Sequence, residues 1–484
     1  MSWHIDENGT IRPVNVSNFP TTAYGELVVA EKTPMAQIIG VYGFTDRVFT
    51  ATLGGNITNE NSMFQVNTGV GPTSIAVIST DEQVACKGGQ GLVADFSAIF
   101  DTGVANNTQF AGMQTSDALV GFGYNGDEFG IGFANRGALE IQELTITAGA
   151  NNNENATITI DGNPYTVLLT NSTINTNAYE IYESLSNQVP GYSFSSNLAT
   201  ITCMGLLPQL GGGLFAFSSP TAAGVFVEKE ASALTVEEWV PKANWNVNPN
   251  IIINPSLGNE YRVRYKHLGF GNIEFSIENP DGGGYEVVHI KKYANTSILP
   301  SVENPTFRVG WAVSNVGNTS NVTVQGAGAE LSIEGKYIVH GQASGECNIQ
   351  PSTSGEIQHV LSIRNRLTFN DKPNRANVEL NVASVSTEAT KITTFFVYKN
   401  AIPADSFTWE YKNEQESIVE FAKDVTIINT GEIIDCRPTR VDAEIDLSKL
   451  IKKLKPMEYL TIGAIYESGS AADVSASVSF NEDL

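Results

Sequence analysis

Positive charge is scarce in this sequence. Its 484 residues carry 28 Lys and Arg against 52 Asp and Glu, a formal net charge of -24. A generic nucleic-acid binder is excluded, because neutralising phosphates takes a basic surface. Loose adhesion to an anionic membrane is disfavoured for the same reason. Charge of either sign is sparse, 17% of residues where an average soluble protein has roughly 25%. Long apolar runs are missing as well. No stretch of about 18 apolar residues exists, so no bilayer-spanning helix is coded. The first residues, Met1 to Glu7, have neither a basic region nor an apolar core, and no signal peptide is expected.

Cysteine and histidine are rare. Cys86, Cys203, Cys347 and Cys436 are too far apart for a CxxC or other zinc spacing. They read as four buried free thiols made in a reducing compartment, with a Cys347–Cys436 bridge as the other reading. His4, His267, His289, His340 and His359 form no HxH, HExxH or Ser/His/Asp run. Nine Asn-x-Ser/Thr sequons occur, a by-product of Asn- and Thr-rich loops where no signal peptide is read.

What is present is strand after strand. Apolar residues make up 41%, enough for several cores, and the length predicts two to four domains. Short alternating runs recur between Gly, Asn and Asp. The glycine-rich runs Val120 to Tyr124 and Phe129 to Phe133 are joined through Asn125-Gly126, a pair that permits the positive φ of a tight hairpin. Ile160-Asp161-Gly162-Asn163 repeats the device. One segment reads as helix, Asn177 to Gln188, with Ala178, Ile181, Tyr182 and Leu185 at helical spacing and Pro190-Gly191 as its stop. A second candidate helix is Asp446 to Leu454. It carries Lys449, Lys452 and Lys453 on its polar face and reads as a short packed helix with a solvated side.

Four parts follow. Residues 1–35 are expected as an extended arm, because Pro13, Pro20 and Pro34 leave no room for a long element. A β-sandwich, or jelly roll, occupies 36–140 and resumes at 251–336. Residues 141–250 form an α+β insertion. Residues 337–484 form a second β-sandwich, with strict alternation at Val378, Leu380 and Val382, and at Phe407, Trp409 and Tyr411.

The candidate binding residues come from the resumed half. Alternation places Tyr261, Val263 and Tyr265 on one face and Arg262, Arg264 and Lys266 on the other. His267 and His289 are expected to meet across the sheet beside Lys291 and Lys292. This basic strip suits a sulfated or carboxylated glycan or an acidic neighbouring subunit, and cross-strand neutralisation of Glu260, Glu274 and Glu286 is the competing account. Trp239, Trp245, Trp311 and Trp409, with Tyr261, Tyr265 and Tyr293, are either sugar-stacking platforms or core. Asp127-Glu128 and the Asn279-Pro280-Asp281-Gly282 loop offer oxygen ligands, so calcium is a weak candidate; no other cofactor is expected. The carboxylate pairs Glu432/Asp435, Glu444/Asp446 and Glu237/Glu238 do not complete a glycosidase signature, and no catalytic residues are assigned. Gly211 to Gly213 and Gly282 to Gly284 lack the Lys-Ser/Thr and helix of a phosphate loop and read as turns.

The run Phe122-Gly-Tyr-Asn-Gly-Asp-Glu-Phe-Gly-Ile131, followed by Glu140 to Thr147, resembles virion proteins of large double-stranded DNA viruses and tailed phages. So do Ala156 to Val167 and Asn304 to Trp311. The resemblance covers residues 36–336 and implies a concanavalin-like sandwich interrupted by a fibre-type module. It implies a surface, fibre or minor capsid component, present in several copies, assembled in host cytoplasm and carried in the virion. The expected partners are other capsid or fibre subunits, further copies of the chain (a trimer is expected), and host glycans. No enzyme activity is expected. The alternatives are a carbohydrate-active hydrolase or lyase, and a purely architectural capsid cement protein.

Overall fold

A computed structural model describes residues 2–5, 11–14, 32–45, 47–115, 118–135, 138–151, 153–170, 172–206, 213–232, 236–279, 284–302, 304–334, 342–352, 355–387, 392–404, 407–451, 453–466 and 472–482. The fold class read from the sequence is the one observed: mainly β, a two-sheet antiparallel sandwich carrying an α+β insertion, then a second sandwich.

The first sandwich closes from chain segments on both sides of the insertion. One sheet has eight strands. Its order is Val236–Pro241, Glu128–Asn135, Leu119–Asn125, Asn107–Gln114, Thr306–Asn315, Ile75–Thr80 and Val48–Leu53, with Val84–Ala85 also on Thr306–Asn315. The other has nine. Gly91–Phe100 lies at its centre, paired on one side with Asn259–Lys266 and on the other with Gly328–Glu334 and Thr323–Gly326. Alternation does what it predicts: Tyr261, Val263 and Tyr265 face inward with Phe96, Phe122, Phe275 and Trp311 in one continuous core.

The glycine-rich strands have a reason beyond their turn. Gly310, Gly112, Gly121 and Gly132 are neighbours in register across four strands, and the row ends at Trp239. All face the outer side of the eight-stranded sheet. A Cβ at Gly121 would lie 2.8 Å from Phe110, and one at Gly132 would lie 2.7 Å from the Trp239 ring. Two aromatic rings therefore rest on a glycine floor, while Val120, Phe122, Ile131 and Phe133 fill the core from the alternate positions.

The insertion packs Ile174–Gln188 against Asn163–Leu169 and against Tyr192–Asn197, Thr200–Gly205 and Ile141–Ala148 of a four-stranded sheet that ends at Ala223–Glu230. A three-stranded sheet of Asn163–Leu169, Glu154–Ile160 and Ala216–Ser218 completes it. Ala178, Ile181 and Leu185 are buried from the helix, as their spacing predicts. The helix starts three residues earlier than read, at Ile174. The strand Val236–Pro241, placed in the insertion by sequence, pairs instead with Glu128–Asn135 of the sandwich.

The C-terminal unit has sheets of five and six strands around Leu361, Ile363, Phe395, Val397, Ile462 and Phe480. Tyr459–Tyr466 is a strand at the heart of the six-stranded sheet, whereas only Glu410–Tyr411 of the 407–411 segment is strand. The second candidate helix is cut to Leu447–Leu450, because Lys453–Leu454 is drawn out as a strand against Val378–Glu379. Lys452 lies outside the described residues. The extended arm is also corrected: Ser2–Ile5 and Ile11–Val14 pair as antiparallel strands, and Lys32–Ile39 already belongs to the nine-stranded sheet. The rest of 1–35 lies outside the described residues.

Candidate functional site

The outer face of the nine-stranded sheet holds the expected basic strip, and the strip is already answered by acids. Arg262 sits beside Asp95 in register and grips its carboxylate with two hydrogen bonds, Nε at 2.6 Å and Nη2 at 2.9 Å. Lys32 reaches the same carboxylate at 2.6 Å and Glu330 at 2.6 Å. Burial alone would raise the Asp95 pKa, but Arg262 and Lys32 outweigh it and hold the group below the ordinary aspartate value. Arg264 lies between Glu334, at 2.6 Å, and Glu274, at 3.3 Å. Tyr285 stacks on the Arg262 guanidinium, 3.8 Å from ring centre to Cζ. Lys291 pairs with Glu238. The competing account of neutralisation holds, through Asp95, Glu334 and Glu238 as well as Glu274. Glu260 and Glu286 instead accept from Tyr285 and Asn248.

The two histidines do not meet. His267 follows Asn259–Lys266, His289 lies on Tyr285–Lys291, and the strand Ile273–Glu278 separates them. His267 Nδ1 shares a 2.8 Å hydrogen bond with the Tyr265 hydroxyl. His289 Nδ1 accepts from the Asn246 N–H at 3.3 Å. Burial lowers the pKa of both, with Lys291 adding to the effect at His289. Lys266, the residue before His267, is exposed.

The aromatic candidates are mostly core. Trp245, Trp311, Trp409, Tyr261, Tyr265 and Tyr293 are buried. Tyr261 packs 4.8 Å from Phe122 and 5.7 Å from Phe96. Trp311 donates to the Ser97 carbonyl at 2.9 Å. Trp239 is half-buried over its glycine floor. Among the described residues, no group of three or more His, Cys, Asp and Glu is placed to hold a metal ion. Asp127 and Glu128 are exposed in their hairpin. Pro280, Asp281 and Gly282 lie outside the described residues, as do Gly211, Gly212 and the Glu237 side chain. Asp435 is engaged by Arg437, and Asp446 by Lys449 and Ser448. All four cysteines are free. Cys86 and Cys203 are buried; Cys347 and Cys436 are exposed rather than buried, on the strands Gln342–Ser352 and Ile428–Thr439 at the edges of their sheets.

The contacts that sequence reasoning missed join one unit to another. Arg364 and Glu420 form an ion pair of 2.6 Å with side chains only 3% and 5% exposed. The insertion closes it: the Ser196 carbonyl accepts from Arg364 at 2.9 Å, and the Asn197 amide donates to Glu420 at 3.1 Å. Trp409 covers the guanidinium at 4.2 Å. Lys229 bridges Glu143 of the insertion and Asp371 of the C-terminal unit, each at 3.2 Å. Lys455 pairs with Asp81, and Lys453 with Glu82 at 2.9 Å, tying the C-terminal unit to the first sandwich. No local pattern marks these residues, because each partner lies on a distant segment.

No family model matches the chain, and no curated protein matches it. Solved structures similar to it include peanut lectin with a bound peptide, at 10% identity and a TM-score of 0.28, covering 63% of this chain and 98% of that one. The metal-free carbohydrate recognition domain of Emp46p is similar at 10% identity and a TM-score of 0.25, covering 61% and 94%. The Sulfolobus Turreted Icosahedral Virus structure gives 8% identity and a TM-score of 0.17 over 90% and 91%. The sandwich assignment rests on the strand order given above. No helix among the described residues is long and apolar enough to cross a membrane.

Proposed function

We propose that the chain is a structural protein of a virion surface. In this reading two sandwiches and an inserted unit form one stiff body that packs against capsid or fibre subunits. The observation that supports it best is the buried Arg364–Glu420 pair closed by Ser196 and Asn197. A desolvated ion pair tolerates little misalignment, since an unmatched buried charge is costly. It therefore favours one orientation of the C-terminal unit on the insertion. Repeated packing in a symmetric particle needs that constancy, because each copy presents the same patch. The chain is read as a homo-oligomer, a trimer in the simplest case, located in the virion after assembly in host cytoplasm. The sandwich is read as carrying a weak host-glycan contact multiplied by copy number. That contact is read away from Arg262 and Arg264, which are engaged by Asp95, Glu334 and Glu274.

Catalysis is not part of this reading. The experiment is a solution-mass measurement on the purified full-length protein, with a glycan array and a polysaccharide turnover panel run beside it. A defined homo-oligomer that binds one sugar class without cleaving it is the expected result. A strict monomer with a silent array would remove the proposal, and turnover of any polysaccharide would replace it with the hydrolase or lyase.

A further inference from the structure

Positive charge, rare in this chain, collects at the seam between the first sandwich and the C-terminal unit. Arg47 and Lys455 line a cleft of about 290 Å³ together with Gln37, Thr80 and Glu82. Arg375 and Lys453 line a smaller recess, and Met35 is common to both. Arg308 lines neither recess but lies within electrostatic reach of Asp81 and Arg375, on the outer face of Thr306–Asn315, its guanidinium 3.9 Å over the Phe49 ring. Its Nε is shielded from solvent and has no hydrogen-bond partner.

The two acids of the seam are each held by a lysine, Asp81 by Lys455 and Glu82 by Lys453. Arg47 and Arg308 make no ion pair among the described residues. Burial lowers the Arg308 pKa to about 10, the Asp81 charge opposing this and the like charge of Arg375 adding to it. A buried guanidinium nitrogen without an acceptor is unfavourable. The fork geometry of arginine matches the oxygens of carboxylate, sulfate and phosphate groups. The cleft is at the lower end of small-molecule sites, roughly 300 Å³ and upward, so it suits an ion no larger than about one sugar ring.

We propose that this seam binds a small oxyanion, presented as a carboxylate, sulfate or phosphate, whose oxygens are taken by Arg308, Arg47 and Lys455. Occupancy clamps the C-terminal unit to the first sandwich. The inference goes beyond the structural role above and does not depend on it.

The test uses full-length protein and three probes, sodium phosphate, sodium sulfate and N-acetylneuraminic acid, each up to about 10 mM at ionic strength matched with sodium chloride. Calorimetric titration and the thermal midpoint are read together, and the ranking of the probes identifies the group preferred. At least one probe should bind saturably and raise the midpoint. The exposed Arg47→Ala variant should weaken that binding about tenfold or more, and Arg308→Gln should abolish it. Arg262→Gln, in the outer ladder of the nine-stranded sheet and lining neither recess, should bind as the parent does. If Arg308→Gln does not fold, Arg47→Ala decides alone. Absence of saturable binding to all three probes would overturn the proposal. So would unchanged affinity in Arg47→Ala, or equal weakening in Arg262→Gln.

Discussion

Replacing Arg364 by Met tests the rigid-body reading most directly. The substitution strips the Glu420 carboxylate of both guanidinium bonds, at 2.8 and 2.6 Å, and leaves it the Asn197 amide at 3.1 Å. It also orphans the Ser196 carbonyl and removes the cation over Trp409. Breaking a buried pair from one side costs about 3–5 kcal/mol. For a unit of this size that lowers the thermal midpoint on the order of 10 °C. Glu420→Gln strands the opposite charge and should cost about the same. The double variant Arg364→Met/Glu420→Leu removes both charges and should cost less than either single change, because well-packed apolar side chains often replace a buried pair at no loss. Asn197→Ala breaks only the link to the insertion and should cost about 1 kcal/mol. Differential scanning calorimetry of the full chain is the assay, since a protein of several units need not unfold in one step. Additive losses in the double variant, or single losses below about 1 kcal/mol, would refute the reasoning.

Asp95→Asn should destabilise the first sandwich by roughly 1–3 kcal/mol at neutral pH. The folded pKa of Asp95 is depressed, so its contribution is complete above the unfolded value of 3.8 and fades as pH falls through the lower folded value; the urea midpoints of parent and variant should converge on acidification below pH 4. Gly132→Ala puts a Cβ 2.7 Å from the Trp239 ring and should cost about 1–3 kcal/mol in urea unfolding, whereas Gly258→Ala, with nothing within 4 Å, should change stability by less than about 0.5 kcal/mol. An aromatic-disulfide thiol assay should count Cys347 and Cys436 in the native protein and add Cys86 and Cys203 only in denaturant, because burial shields the latter two and pushes the Cys86 thiol up to about 12. Four thiols reacting at one rate would contradict the packing.

Local pattern carried the architecture well. Tyr261, Val263 and Tyr265 announced their inward face by alternation, and Asn125-Gly126 announced its hairpin. The helix at Ile174–Gln188 was legible because its burial face repeats within its own length. The basic strip could not be decided from its own stretch of sequence, for a physical reason. Arg262, Arg264 and Lys266 stand within five residues of one another, but Asp95 and Glu334, which neutralise the two arginines, arrive from strands far away in sequence. Lys453, read onto a solvated helix face, was misread for the same reason: it pairs with Glu82 of the first sandwich. The outward glycines carried no local mark of the Phe110 and Trp239 rings that lie on them. In each case the missing information was the identity of a partner, which no window of the sequence contains.

The central position of Gly91–Phe100 also sets an order of events during synthesis. Its long-range neighbours, Asn259–Lys266, Thr323–Gly326 and Gly328–Glu334, are translated only after the whole insertion. At about 5–20 residues per second the strand waits roughly 8–50 s for its flanks. The insertion, whose strands from Ile141–Ala148 to Ala223–Glu230 pair among themselves, closes in the meantime. A folded module thus hangs in the middle of an open sheet whose Leu92, Phe96 and Phe100 still lack the flanking Tyr261, Tyr265 and Leu331. Nascent chains of this protein are therefore clients for a holding chaperone over that interval, and a ribosome that stalls before residue 334 releases a fragment with a sticky central strand.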